Sequence, residues 1–98
     1  MTSIKYNQVP EDEHYVVMFS APAWCVPCKR LTPVFERAAA NRKDPSVKFY
    51  YIDIDKMPEL AQEWGIQSVP TVKHYKHGEV ADIDERRPVK FVEIVDSL

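Results

Sequence analysis

Two cysteines are the residues of this sequence best suited to carry chemistry. Cys25 and Cys28 are the only cysteines among 98 residues, and they stand three positions apart in the stretch AWCVPCKR. Two thiols at this spacing can cycle between a dithiol and a disulfide, because one attacks a foreign disulfide and the other resolves the mixed disulfide that forms. The spacing therefore predicts thiol–disulfide exchange.

The segments on either side of the pair predict how it is positioned. Residues 15–20, YVVMFS, form a continuous apolar run, which is typical of a strand buried on both faces. A helical pattern follows from residue 27 to about residue 42. Cys25 would then lie at a helix N-terminus, where unpaired N–H groups and the helix dipole favour the thiolate. We expect an exposed Cys25 with a lowered pKa, and a buried, unreactive Cys28.

The rest of the chain alternates strand-like and helix-like segments, which indicates an α/β sheet. We predict strands at residues 3–6, 47–54, 71–76 and 79–84, and helices at 57–64, ending at Gly65, and at 88–98. Pro33 should kink the helix that follows the cysteines, since it lacks an N–H. The last helix should present one apolar face, formed by Phe91, Ile94, Val95 and Leu98. The length predicts a single domain, residues 1–98.

Composition and charge argue against several classes of partner. The formal net charge is −2, and the basic residues are scattered among acidic ones, so we expect no nucleic-acid and no membrane partner. The N-terminus lacks the pattern of a secretory signal, which predicts a cytoplasmic protein. In that compartment a C-x-x-C pair is more often catalytic or metal-binding than structural.

Two other interpretations of the cysteines fit the sequence less well. A closed zinc site needs four ligands, but the remaining candidates, His14, His74 and His77, do not stand at the paired spacing of a zinc motif. We therefore expect no metal. A chance pair of packing cysteines is a poor fit to a C-x-x-C beside a tryptophan at a strand-to-helix junction.

The motif WCVPCK resembles WCGPCK, the active-site signature of the thioredoxin family. The similarity covers roughly residues 15–80 and includes IDIDK, WGIQSVPT and YKHGEV. It implies a thioredoxin-like fold, an α/β architecture with a central mixed β-sheet flanked by helices, here with a shortened N-terminal region.

The resemblance also implies roles for individual residues. Cys25 would be the nucleophile and Cys28 the resolving thiol, and the two would form the redox disulfide. The supporting residues of the active site would be Trp24, Val26, Pro27 and Lys29. The substrate-binding residues would be Val69, Pro70 and Thr71, with Pro70 in cis.

By this resemblance the chain is a protein disulfide reductase, an enzyme that acts as a monomer without a bound cofactor. Its partners would be disulfide-containing proteins and, as electron donor, thioredoxin reductase or a similar protein. One alternative is a glutaredoxin-type reductase that is fed by another donor. Another is a binding or assembly module with this fold, in which the thiols are incidental.

The sequence departs from the family at the position of a buried acid. Met18 stands where the family usually has a buried carboxylate, and Tyr51 stands where it has the lysine partner. That carboxylate is the group usually proposed to take the proton of the resolving thiol. Unless water or another group replaces it, we expect resolution by Cys28 to be slow at neutral pH.

Overall fold

The computed structural model describes residues 2–3, 14–41, 47–76, 79–84 and 87–97. It contains five strands, β1 (Thr2–Ser3), β2 (His14–Ser20), β3 (Val47–Asp53), β4 (Thr71–Lys76) and β5 (Glu79–Asp82). Three helices accompany them, α1 (Val26–Asn41), α2 (Pro58–Glu63) and α3 (Pro88–Asp96). Residues 4–6 of the predicted first strand, and residues 77–78 between the predicted strands 71–76 and 79–84, lie outside the described residues.

The strands form one mixed sheet in the order β1-β3-β2-β4-β5. β1, β3 and β2 run parallel, whereas β4 is antiparallel to β2 and β5 is antiparallel to β4. The predicted mixed α/β sheet is confirmed. β2 pairs with a strand on each side, which explains its run of buried side chains. The carboxyl end of β2 therefore leaves the centre of the sheet, directly before the cysteines.

Apolar side chains of β2 alternate between two cores, one on each face of the sheet. Val16 and Met18 pack with α1 and α3, while Val17 and Phe19 pack on the opposite face with Leu60 of α2. The cysteines form a third, smaller cluster at the end of β2. The site is thus supported by both layers of the fold.

The apolar face of α3 is narrower than predicted. Phe91 and Val95 are fully buried, but Ile94, which was predicted on the same apolar face, is 38% exposed. Phe91 and Val95 are four residues apart and lie on one line along the helix, whereas Ile94 falls to its side. Leu98 lies outside the described residues.

A proline and a glycine shape the helices near the site. α1 continues through Pro33, and the hydroxyl of Thr32 donates a hydrogen bond to the carbonyl of Cys28 at 2.7 Å. α2 is followed by its C-cap Trp64 and then, as predicted, by Gly65, which has a φ of 66°. The amide of Ile66 then donates to the carbonyl of Ala61 at 2.9 Å, which turns the chain back towards the cysteines.

No helix among the described residues is both long enough and apolar enough to cross a membrane.

Candidate functional site

Cys25 lies at the N-cap of α1 and forms a disulfide with Cys28. A tight turn leads into it, because the amides of Trp24 and Cys25 both donate to the carbonyl of Ala21, at 3.2 and 2.9 Å. The carbonyl of Cys25 then accepts the amide of Lys29 at 3.2 Å, the first hydrogen bond of the helix. The pair is thus fixed between the end of a central strand and the start of a helix.

The sulfur of Cys25 acts as the side-chain cap of this helix. It accepts a hydrogen bond from the amide of Cys28 at 3.2 Å. An N-cap side chain accepts from the second or third helical residue, and Pro27, at the second position, has no N–H, so the amide of Cys28 at the third position is the donor. In the reduced protein this donor and the positive end of the helix dipole favour a thiolate on Cys25.

Burial of the two cysteines differs from the prediction. Cys28 is 0% exposed, as expected, but Cys25 is only 5% exposed, so the prediction of an exposed Cys25 is wrong for this oxidised form. Ile54 and Val69 pack against the cluster of Ala21, Cys25 and Cys28 and cover the disulfide. Cys25 is nonetheless the more accessible of the two sulfur-bearing residues.

Trp24 and its neighbours form an exposed rim beside the disulfide. Trp24 is 62% exposed and Val26 is 53% exposed. The indole Nε1 of Trp24 donates to Oδ2 of Asp55 at 3.1 Å, which fixes the ring on the β3–α2 connection. The side chains of Pro27 and Lys29 are also exposed. The four residues predicted as active-site support therefore lie together on the surface around Cys25.

The segment before β4 approaches the disulfide from the other side. The carbonyl oxygen of Val69 lies 3.6 Å from the sulfur of Cys25. The Val69–Pro70 peptide bond is cis, as predicted, and Pro70 is buried. Thr71 begins β4, and its hydroxyl donates to the carbonyl of Ser68 at 2.6 Å. Of the predicted substrate-binding residues, Val69 is thus the one whose backbone carbonyl contacts the sulfur of Cys25.

A hydrogen bond between two hydroxyl groups at the end of β2 was not predicted. The hydroxyl of Tyr51 donates to Oγ of Ser20 at 2.9 Å, and Ser20 is 0% exposed. The sequence marks Tyr51 only as a departure from a family pattern. Residue types alone do not reveal this pair, because the contact depends on the register between two strands that are distant in sequence.

The described residues contain no group of three or more His, Cys, Asp or Glu side chains that could hold a metal ion. His14 of β2 and His74 of β4 contact each other through their Nε2 atoms.

The capping geometry predicts the order in which the thiols react. In the reduced protein Cys25 should be alkylated first near neutral pH, because a hydrogen bond from the Cys28 amide stabilises its thiolate and because it is the less buried residue. We expect Cys28 to stay unlabelled until the protein unfolds. Mass spectrometry of peptides after brief iodoacetamide treatment measures this order. Preferential labelling of Cys28 would reverse the assignment.

Comparisons with known proteins give one consistent result. The protein-family model described as Thioredoxin matches residues 2–97 of this chain. The thioredoxin Asp f 29 of Aspergillus fumigatus is 36% identical over 73 residues, which cover 74% of this chain and 66% of the relative. A thioredoxin of Malassezia sympodialis is 36% identical over 78 residues, which cover 80% of this chain and 74% of the relative.

The fold agrees with these sequence similarities. The crystal structure of the Malassezia sympodialis thioredoxin superposes with a TM-score of 0.74 at 33% identity, and the match covers 88% of this chain and 75% of that one. The chain thus spans between about two thirds and three quarters of the length of these relatives.

Proposed function

Because the chain belongs to the thioredoxin family, we propose that it is a protein disulfide reductase that works by thiol–disulfide exchange. The observation that carries this proposal is the position of Cys25, whose sulfur caps a helix N-terminus and is bonded to Cys28. The C-x-x-C pair at such a site supports an oxidoreductase rather than a structural role.

The reaction follows from the two sulfur atoms. In the reduced protein, the thiolate of Cys25 attacks a substrate disulfide, forms a mixed disulfide and expels one substrate sulfur as a thiolate. Cys28 then loses its proton and attacks the sulfur of Cys25. The Cys25–Cys28 bond forms while the bond to the substrate breaks, and the second substrate sulfur leaves as a thiolate. Two electrons have then passed from the protein to the substrate.

Substrate binding is assigned to the surface around Cys25. Trp24 and Val26 offer an exposed apolar rim on one side, and the backbone of Val69 borders the sulfur on the other. An extended peptide that carries the target disulfide can pair with the backbone at Val69 while its side chains contact the rim. Pro70 and Thr71 hold this segment at the start of β4.

We assign the remaining properties by the same family membership. The partners are disulfide-containing proteins as substrates and thioredoxin reductase or a similar protein as electron donor. The protein acts as a single domain and a monomer, in a reducing compartment such as the cytoplasm, where a dithiol is regenerated.

A coupled assay tests the function and its electron donor. The purified protein should reduce the disulfides of insulin when NADPH and a thioredoxin reductase are supplied, and insulin precipitation and NADPH loss measure the rate. Parallel reactions with glutathione and glutathione reductase should be much slower. Faster reduction with glutathione would instead support the glutaredoxin-type alternative, and no reduction with any donor would contradict the proposal.

Replacing Cys28 with Ser should convert the protein into a trap for its substrates. Cys25 still attacks a disulfide, but no neighbouring thiol resolves the mixed disulfide that forms. We expect covalent complexes that a reductant releases, seen on non-reducing gels. The matched control is the double replacement of Cys25 and Cys28 by Ser, which should trap nothing. Equal trapping by the double variant would show that the complexes do not form through Cys25.

A further inference from the structure

A hydrogen-bonded pair of hydroxyl groups joins the end of β2 to β3: Ser20 is fully buried and Tyr51 is partly buried. Tyr51 of β3 donates a hydrogen bond to Oγ of Ser20 at 2.9 Å. Ser20 is the only polar residue among the fully buried residues that the structure describes. Its carbonyl is also bonded, since it accepts the amide of Ile54 at 2.9 Å.

The Ser20 hydroxyl makes one side-chain hydrogen bond among the described residues, and it makes it as an acceptor. Oγ accepts from Tyr51, and among the described residues no hydrogen bond is donated by Ser20 Oγ. A buried donor without a partner costs free energy, and such groups are uncommon in folded proteins. An acceptor that exists only in another state of the protein would remove this cost.

Cys28 contacts the backbone of the residue that follows Ser20. The amide of Ala21, the residue that follows Ser20, lies 3.5 Å from the sulfur of Cys28 and points its N–H at it. Ser20 has the same parity on β2 as Val16 and Met18, whose side chains pack against α1 and α3. The hydroxyl is therefore on the face of the sheet that α1 covers, at the level where α1 carries Cys28.

We propose that Ser20, positioned by Tyr51, stabilises the thiolate of Cys28 during resolution of the mixed disulfide. The inference rests on the proposed function and deepens it. Once the Cys25–Cys28 bond is broken, Cys28 is a buried thiol whose thiolate accepts hydrogen bonds from the Ala21 amide and the Ser20 hydroxyl. The bond from Tyr51 polarises the Ser20 hydroxyl and strengthens its donation. The pair takes the place of a buried carboxylate, which the position of Met18 does not supply.

The step balances without a further reactant. Cys28 releases its proton to solvent, and the resulting thiolate attacks the sulfur of Cys25. The Cys25–Cys28 bond forms, the bond between Cys25 and the substrate sulfur breaks, and that sulfur leaves as a thiolate that takes up a proton. Ser20 and Tyr51 exchange hydrogen bonds but end the step with the protons they began with.

The described elements around the pair carry few charged groups. On α1, Lys29 and Arg30 are exposed. At the end of β3, Asp53 is half-buried and accepts the Asp55 amide at 2.9 Å, and Asp55 is exposed and bonded to Trp24. The residues packed directly around the disulfide are apolar: Ala21, Ile54 and Val69. Asp53 is thus the alternative group that a test must separate from the hydroxyl pair.

Stopped-flow reaction of the reduced protein with DTNB separates attack from resolution. Cys25 releases one coloured thiolate in the first phase, and Cys28 releases the second when it resolves the mixed disulfide. Both phases are followed between about pH 6 and pH 9, a range that brackets the ordinary pKa of a thiol of about 8.5. The variants are Ser20→Ala, Tyr51→Phe, Ser20→Thr, Asp53→Asn and, as a control, Tyr50→Phe.

For Ser20→Ala and Tyr51→Phe we expect an unchanged first phase and a second phase about tenfold slower at neutral pH, because the pKa of Cys28 rises when its thiolate loses a hydrogen bond. The rates should converge with wild type at alkaline pH. Ser20→Thr keeps the hydroxyl and should keep the wild-type profile, and so should Tyr50→Phe, which removes a hydroxyl on the opposite face of the sheet.

The outcomes separate the two proposals. An absent first phase in wild type would contradict the proposed function. A normal first phase together with a second phase that Ser20→Ala and Tyr51→Phe leave unchanged at every pH would overturn the role of the pair. A second phase slowed by Asp53→Asn alone would assign the role to that carboxylate. If Tyr51→Phe slowed the second phase by the same factor at every pH, the effect would be purely structural, and this too would overturn the proposal.

Discussion

Replacing Cys25 with Ser is expected to abolish disulfide reduction, with a loss on the order of a thousandfold or more, as for the removal of other enzymatic nucleophiles. A hydroxyl does not form the mixed disulfide from which the reaction proceeds. The fold should survive, because Ser is a favoured N-cap residue and its oxygen can accept the Cys28 amide that the sulfur accepts at 3.2 Å. Insulin reduction with thioredoxin reductase measures the loss.

The stability control is made under reducing conditions. The wild type then also lacks the disulfide, so its contribution, about 2 kcal/mol for so short a loop, does not enter the comparison. Urea unfolding should give Cys25→Ser and reduced wild type free energies within about 1 kcal/mol, whereas Cys25→Ala loses the cap and about 1 kcal/mol with it. Substantial reduction by Cys25→Ser would make Cys28 the nucleophile. Full biological function of the double Cys→Ser protein would favour the assembly module instead.

Local sequence signals were sufficient for most of the elements that hold the site. The β-branched and aromatic run at residues 15–20 predicted β2 to within one residue, and the apolar periodicity that follows predicted α1. Gly65 marked the end of α2, because only glycine adopts its positive φ without strain. These signals act over a few neighbouring residues, so they can be recognised without knowledge of the fold.

Features that depend on contacts between distant segments were missed. Cys25 is covered by Ile54 and Val69, which arrive from the end of β3 and from the segment before β4, and its own surroundings in sequence suggest exposure. The bond between Tyr51 and Ser20 requires the parallel register in which Met18 pairs with Tyr51. Strand register is set by the packing of a whole face, and the sequence of one strand does not contain it.

Met18 allows a direct test of the missing buried acid. It is 0% exposed in the core between the sheet and α1, opposite Tyr51 on β3 and Val72 on β4. Replacing it with Asp should lower the free energy of unfolding at neutral pH by about 3–5 kcal/mol, the cost of a buried charge without a partner. That is a large part of the roughly 5–15 kcal/mol typical of a domain. Urea unfolding of the oxidised protein measures the loss.

The pH dependence separates the charge from the change in packing. Burial raises the pKa of the carboxyl that Met18→Asp introduces, in the folded state, above its unfolded value of about 3.9. The folded state then binds more protons than the unfolded state. The loss of stability that is due to the charge is therefore complete above the folded-state pKa, shrinks as the pH falls through it and vanishes below about pH 4. Met18→Asn, a neutral control of similar shape, should lose a constant amount over the same range, and Met18→Leu less than about 1.5 kcal/mol.

The double variant Met18→Asp with Tyr51→Lys places an opposite charge on the neighbouring strand. It should recover part of the loss at neutral pH, because the carboxylate gains a partner. Recovery should disappear on acidification, once the carboxyl is protonated. A Met18→Asp protein as stable as Met18→Asn at every pH would show that water or a neighbouring group already solvates this position, and that the apolar surroundings of Met18 do not exclude a charge.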